Sequence, residues 1–295
     1  MSVEAKFKTA TDFRKSLETR LQNLATTTNI DLQRLRRKVA FDRFLARIFC
    51  QEQSVFYLKG GYAMELRIAH ARATKDIDLT FVGRLKTQNA LIGDIILNDL
   101  RALVKLDLKD YFVYQVGEAQ IDLKNAPYGG ARYPISAMID GKLYLRFQLD
   151  VGADFLLDKV ETIQGSDWFE FCKIPAPVIP MISIEQQFAE KLHTYTLLRE
   201  QRINSRPKDL IDMVLLLNMK TPKIDEMLSV LKRVFDKRDT HPLADRLATP
   251  PVQWHAQFVE MATECGLPKN MEENFERVNA FYNDIISRHK QFLVL

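Results

Sequence analysis

Cysteine is scarce: Cys50, Cys172 and Cys265 are the only three in 295 residues, far apart and odd in number. That distribution argues against a disulfide framework or a zinc site and for free thiols in a reducing compartment. Long apolar runs are missing too, since none reaches the ~18 residues a membrane-crossing helix needs. Met1 to Lys15 is charged and lacks the apolar core of a signal peptide. The expectation is a cytoplasmic protein with no membrane partner. Charge of one sign is not in excess. A formal net charge of +4 is too mild to argue for nucleic acid by itself, and no DNA binding is expected. The five histidines, His70, His193, His241, His255 and His289, show no spacing suited to a transition metal. Only His193 lies near a motif, where a structural or supporting role is expected. Both the Walker spacing and the G-x-G-x-x-G fingerprint are absent, as are low-complexity linkers and internal repeats. At 46% hydrophobic, the chain can still bury a substantial core, as one large or two modest domains.

What the chain does carry is Lys59-Gly60-Gly61 followed, fifteen residues on, by Asp76-Ile77-Asp78. Val55-Phe56-Tyr57-Leu58 is a short β-prone run and Tyr62 to Ile68 suits a helix, which places the glycines at a strand-to-helix junction. Free backbone N–H groups and the helix dipole attract phosphate there, and Lys59 adds a mobile positive charge. In the strand that follows, Ile77, Leu79 and Phe81 share one face while Asp76, Asp78 and Thr80 share the other. Two close carboxylates stay ionised only if a cation or hydrogen-bond donors compensate them. Mg²⁺, or Mn²⁺ in its place, suits such a pair because it completes its shell with water and substrate phosphates. Either element alone is more often structural. Their order within so short a stretch is what points to a site.

A third acid follows at the end of another alternating run. Leu143, Leu145, Phe147, Leu149 and Val151 form one face and Tyr144, Arg146, Gln148 and Asp150 the other. If this strand neighbours the D-x-D strand, Asp150 can join the metal set or take a proton from an attacking hydroxyl. Further on, Ser183 can cap a helix with Gln186 in the capping-box position. On that helix Ile184, Phe188 and Leu192 make a core stripe, which leaves Gln187, Lys191 and Tyr195 on a different face, away from the core. In the next helix Leu210, Met213, Val214 and Leu217 are inward, and Arg206, Asp209 and Asp212 stack on a neighbouring face. There a surface network with a Lys208–Asp212 pair is the plain expectation.

The strings Lys59-Gly60-Gly61-Tyr62-Ala63-Met64-Glu65-Leu66-Arg67, Arg72-Ala73-Thr74-Lys75-Asp76-Ile77-Asp78, Glu190-Lys191-Leu192-His193 and Arg206-Pro207-Lys208-Asp209-Leu210-Ile211-Asp212 together resemble the AbiEii family of nucleotidyltransferase toxins, part of the DNA polymerase β-like nucleotidyltransferase superfamily. The likeness spans roughly residues 30 to 220. It implies a toxin of a bacterial or phage-defence system, working beside a cognate antitoxin and transferring a nucleoside monophosphate from an NTP to RNA. In characterised relatives the acceptor is the 3′ end of tRNA. The resemblance further implies that Lys191 serves the triphosphate and that Asp212 holds Lys191 or a base, with Arg206 and Asp209 as nucleotide-binding candidates beside them. One departure stands out. Where many members carry Ser or Thr after the glycines, this chain has Tyr62, and a hydroxyl ligand for the triphosphate is expected to be missing.

Asp31 to Cys50 suits a helix with Leu32, Leu35, Val39, Leu45 and Ile48 inward. Its basic residues, Arg36, Arg43 and Arg47 among them, form a face that can contact an RNA backbone, against the default of a solvated helix face. Three zones are expected: an N-terminal helical segment over 1–52, a nucleotidyltransferase core over 53–172, and a C-terminal helical domain over 173–295 that begins near Pro175, Pro177 and Pro180. The predicted fold is α/β (α+β), a mixed-sheet core flanked by helices. Two other functions stay open. One is nucleotidyl transfer to a protein or small-molecule hydroxyl, and the other is a catalytically silent module that binds antitoxin or RNA.

Overall fold

The structure is a computed structural model that describes residues 7–51, 53–83, 92–122, 129–154, 158–197 and 206–293. Its residues group into two compact units. The first comprises the described residues of Met1–Tyr62, Ala73–Phe155 and Glu161–Met181, and the second those of Ala63–Arg72, Leu156–Val160 and Ile182–Leu295. The N-terminal helices thus group with the sheet, and the short segment 63–72 groups with the C-terminal helices.

The sheet is built from β1 (Phe56–Lys59), β2 (Asp76–Phe81), β3 (Phe112–Val116), β4 (Ile121–Asp122), β5 (Gly130–Ile139), β6 (Lys142–Ala153), β7 (Val160–Gln164) and β8 (Val178–Ile182). Strand order is β3-β5-β6-β2-β1-β8-β7, with β4 also paired to β5. The sheet is mixed: β2 runs parallel to β6 and β1 to β8, while β1–β2, β3–β5 and β5–β6 are antiparallel. A tight Asp140-Gly141 turn joins β5 to β6, with φ of 57° and 66°. Such turns place both central residues at positive φ because that twist matches the flanking strands. Strands β3, β5 and β6 thus pair antiparallel in sequence between residues 112 and 153.

Alternation sets the two faces of the sheet. Ile77, Leu79, Phe147, Leu149, Val151, Tyr133 and Ile135 are buried on one face. Helix α2 (Leu32–Ile48), capped by the Asp31 side chain, covers that face together with α1 (Ala10–Thr28) and α4 (Ile92–Leu103). Phe41 and Phe44 of α2 meet Phe147 at ring-centroid distances of 4.8 and 5.6 Å. The acids stand on the opposite side of the same strands.

The basic face expected on α2 is corrected by this packing. Arg43 and Arg47 point into the first unit, where both bind Asp110. Arg47 donates at 2.8 and 2.6 Å to the two Asp110 oxygens and at 2.8 Å to the Phe112 carbonyl, and Arg43 Nε reaches Asp110 Oδ2 at 2.7 Å. Burial alone would raise the Asp110 pKa, but the two guanidiniums hold it below the usual carboxylate range. Neither arginine can meet an RNA backbone while so engaged. Arg36 remains half-buried and is paired with Glu18. Helical periodicity did mark these positions as polar, yet Asp110, distant in sequence, turned two of them inward.

The second unit is helical: α5 (Ile184–Thr196), α6 (Pro207–Met219), α7 (Ile224–Arg238), α8 (His255–Glu264) and α9 (Met271–Leu293) surround one apolar cluster. Helix α3 (Gly60–Arg67) has its first three residues in the first unit and the rest in the second. Ser183 caps α5 by accepting from the Gln186 N–H at 3.1 Å, as its sequence suggests. The second face of α5 is another correction. Gln187 and Tyr195 are buried rather than displayed, because α5 is packed by both α6 and α7. Helix α6 is apolar nearly all round, the mark of a helix enclosed by its neighbours.

Candidate active site

In the first unit, register turns three separate sequence features into one row. Lys59 on β1 is opposite Asp78 on β2, Asp78 is opposite Asp150 on β6, and Asp150 is opposite Arg132 on β5. The order of charge across four strands is therefore plus, minus, minus, plus. Neighbouring strands lie only ~4.8 Å apart, so the two central carboxylates repel unless cations compensate them. Arg132 does so with a fork: Nε donates to Asp150 Oδ1 at 2.6 Å and Nη2 to Oδ2 at 2.7 Å. That hydrogen bonding raises the Arg132 pKa first of all; burial opposes it, and the charges of Asp150, Asp76 and Asp78 add to it. All three acids are thus felt at one guanidinium.

Asp76 lies in the adjacent row, opposite Gln148, and accepts from Thr74 Oγ1 at 2.8 Å. On the other side Thr80 is opposite Gly152, itself opposite Gly130. Among the described residues Thr80 Oγ1 and Gln148 Oε1 are buried without a hydrogen-bond partner. Oxygens left unpaired in that way are costly unless something else satisfies them.

The glycine bend meets the acids directly. Gly60 has φ +67°, and a Cβ built on it would overlap the carboxyl group of Asp78. Any side chain there would incur backbone strain and displace Asp78. Gly60 and Gly61 open α3, so the N-terminus of that helix begins beside Asp78. Tyr62 points elsewhere. It is fully buried and donates to Asp42 Oδ1 at 2.5 Å; Asp42 also accepts from Trp168 Nε1 at 2.8 Å and from the Ser166 N–H at 3.1 Å. Burial raises the Asp42 pKa, against the pull of these donors. The hydroxyl of Tyr62 is spent on the core of this unit.

The second unit holds a separate charge cluster. Lys191 Nζ is 2.8 Å from Asp212 Oδ2 and 3.2 Å from Asp209 Oδ1. Arg72 forks Asp212 at 3.0 and 2.9 Å. Asp209 and Asp212 are one turn apart on α6, whose first helical position is Pro207, and both are buried. The surface network and the Lys208 pair expected there are replaced by this enclosed cluster. Lys191 is likewise nearly buried, not displayed. Burial would lower the Lys191 pKa, but Asp212 and Asp209 push it above its usual value. Conversely, burial would raise that of Asp212, but Lys191 and Arg72 hold it down. Arg206 stands 4.0 Å from Asp209. His193, two residues further along α5 than Lys191, bonds Thr240 through Nε2 at 2.8 Å, and burial drives its pKa down to about 3.

Two arginines at these acids, Arg132 and Arg72, had no role in the sequence reading. Alternation of Ala131, Tyr133, Ile135, Ala137 and Ile139 does put Arg132 on the polar face, but its partner is set by register. For a divalent cation the donor set is all oxygen, as hard ions require. Among the described residues no three His, Cys, Asp or Glu side chains enclose a metal position. Asp150 is held by Arg132, and Asp76 and Asp78 share the polar face of β2. That fits an ion bound through one or two carboxylates with water and phosphate as its other ligands.

The family model for the nucleotidyl transferase AbiEii toxin of type IV toxin–antitoxin systems matches residues 43–280. Among solved structures, the nucleotidyltransferase toxin MenT4 of Mycobacterium tuberculosis H37Rv aligns with a TM-score of 0.56 at 14% identity, over 92% of this chain and 98% of that one. JHP933 from Helicobacter pylori aligns with a TM-score of 0.51 at 14% identity, over 90% and 97%. At such identity the likeness speaks for the fold alone, and it is the mixed α/β fold expected from the sequence. No curated protein matches the chain. The family match covers most of the chain, and it follows that the protein belongs to the AbiEii family, the nucleotidyltransferase toxins of type IV toxin–antitoxin systems.

Proposed function

We propose that this toxin transfers a nucleoside monophosphate from an NTP to the 3′ end of tRNA, and that Asp76 and Asp78 hold the divalent cation. The row Lys59–Asp78–Asp150–Arg132, set against the glycine bend, is the observation that carries this reading. A terminal ribose hydroxyl attacks the α-phosphate in line and pyrophosphate leaves. Bound Mg²⁺ or Mn²⁺ supplies neutralisation of the charge that develops on the phosphate. Lys59 and the first-turn N–H groups of α3 grip the phosphate tail, so catalysis rests on positioning and charge and needs no side-chain nucleophile. Asp150 is the third acid, as metal ligand or base. In the second unit, Lys191 contacts the triphosphate with an N–H that its two aspartates leave over, and Asp212 orients it. Arg206 and Asp209 complete the nucleotide-binding set.

RNA as acceptor rests on family membership, since burial of Arg43 and Arg47 takes two arginines out of the basic face that the sequence offered. That burial is the observation favouring a protein or small-molecule acceptor as the second reading. The type IV family implies an antitoxin partner. Among the described residues no helix is long and apolar enough to cross a membrane; a cytoplasmic address and a part in phage defence belong to the proposal. The test incubates purified protein with Mg²⁺, total tRNA and each α-labelled NTP in turn, beside an Asp78→Ala control. Label entering tRNA only with the native protein supports the proposal. Transfer to protein selects the second reading, and equal labelling by the Asp78→Ala control refutes both.

A further inference from the structure

Arg132 is bonded to an acid of this row, and its fork engages both oxygens of Asp150. A divalent ion needs one of those oxygens, and the fork takes a lone pair of each and sets a positive charge against an incoming cation. The fork is well placed to be exchanged. With side-chain exposures of 34% for Arg132 and 15% for Asp150, it faces solvent in part. Its geometry suits phosphate as well as carboxylate, both being bidentate acceptors. Thr80 Oγ1, fully buried on the same face of β2, is a second polar group there, and it has no hydrogen-bond partner among the described residues.

We infer that Arg132 alternates between two anions: it holds Asp150 in the nucleotide-free enzyme, confining the cation to Asp76 and Asp78, and moves to a phosphate of the incoming nucleotide, which releases Asp150 to the reaction. This rests on the reading of Asp76 and Asp78 as the cation pair. Its consequence is that loss of Arg132 strengthens cation binding and weakens nucleotide binding, two changes of opposite sign. A purely structural role would weaken both or neither.

Mn²⁺ binding to the full chain, followed by electron paramagnetic resonance, tests the first half. Arg132→Gln should bind Mn²⁺ roughly tenfold tighter than the native protein, and Arg132→Lys several-fold tighter, because an ammonium lacks the fork. In an Asp150→Asn background the gain from Arg132→Gln should shrink to about twofold, the part due to charge alone. Binding of a non-hydrolysable NTP in the presence of Mn²⁺ tests the second half, with an expected loss of roughly tenfold in Arg132→Gln. Unchanged Mn²⁺ affinity in both Arg132 variants, a gain undiminished by Asp150→Asn, or unchanged nucleotide affinity would each overturn the inference. Circular dichroism checks folding, and Arg132→Lys and Asp150→Asn carry the test should Arg132→Gln fail to fold. If Asp76→Ala and Asp78→Ala bind Mn²⁺ as the native protein does, the underlying site assignment fails instead, whatever Arg132 does.

Discussion

Two arginine–aspartate forks lie in the sheet unit, Arg47 on Asp110 and Arg132 on Asp150, with bond lengths alike at 2.6 to 2.8 Å. Their surroundings separate them. Side-chain exposures are 1% and 0% for the first pair, against 34% and 15% for the second. Asp110 accepts from two arginines and its fork is closed off by Tyr114 and Phe112, whereas Asp150 stands between Arg132 and a second acid. Identical chemistry thus serves as a fixed joint where water is excluded and as an exchangeable contact where water and ligand can enter. A fork that cannot be hydrated when opened does not open.

The strongest way to break this comparison is to cut the closed fork. Arg47→Ala should cost about 3–5 kcal/mol of stability by leaving Asp110 buried without its main partner; a urea midpoint close to the native one would place Arg47 in a wet environment after all. In the acid row the large effect should fall on activity instead. Asp78→Asn should slow nucleotidyl transfer by on the order of 10²-fold or more while its unfolding curve stays near the native one. Gly60→Ala joins the two, since a methyl group at φ +67° meets the Asp78 carboxyl. Strain of about 1–3 kcal/mol is expected in a thermal melt, together with lost transferase activity.

pH separates the regions further. His193 is kept neutral, with its pKa down near 3, so its effect on stability is nil above its unfolded value. As pH falls below ~6.5 the unfolded chain gains a proton that the folded one refuses, and stability drops by about 1.4 kcal/mol per pH unit toward pH 3. Urea unfolding at pH 7 and pH 5 should show that slope in the native protein and a shallower one in His193→Gln. Asp110, held low, behaves in the opposite range: its contribution is complete above the usual carboxylate pKa and is lost only as pH falls through its depressed value. The smallest expected effect is on the stability of Arg132→Gln. A partly solvated pair contributes no more than about 1 kcal/mol, so a chemical-denaturation shift as large as that of Arg47→Ala would erase the distinction between the two forks.

Much of the site was legible because strands announce their faces. Period-2 alternation placed Asp76 and Asp78 together, put Asp150 at a strand end on a polar face, and set a glycine turn just before a helix; each is a local property. Lys191 and the two α6 aspartates were assembled from motif resemblance, but their depth was misjudged, because a helix packed on two sides has no solvent face for its charges to occupy. The α2 arginines misled for a related reason. Periodicity identifies a polar face but does not say whether that face meets water or a buried aspartate far along the chain. Tyr62 looked like a missing ligand and is a core residue bonded to Asp42, a partner twenty residues earlier on another helix.

By itself the amino-acid order determined which residues alternate, where the backbone needs glycine, and to which family the chain belongs, since spacing and side-chain chemistry decide all three within a few residues. Tertiary structure alone decided that Asp78 stands beside Asp150 and that Arg132 rather than solvent meets the third acid. It alone decided, too, that Arg43 and Arg47 face inward. Strand register and helix enclosure come from contacts between distant segments, where the burial of whole apolar faces outweighs the preference of any single charge for water.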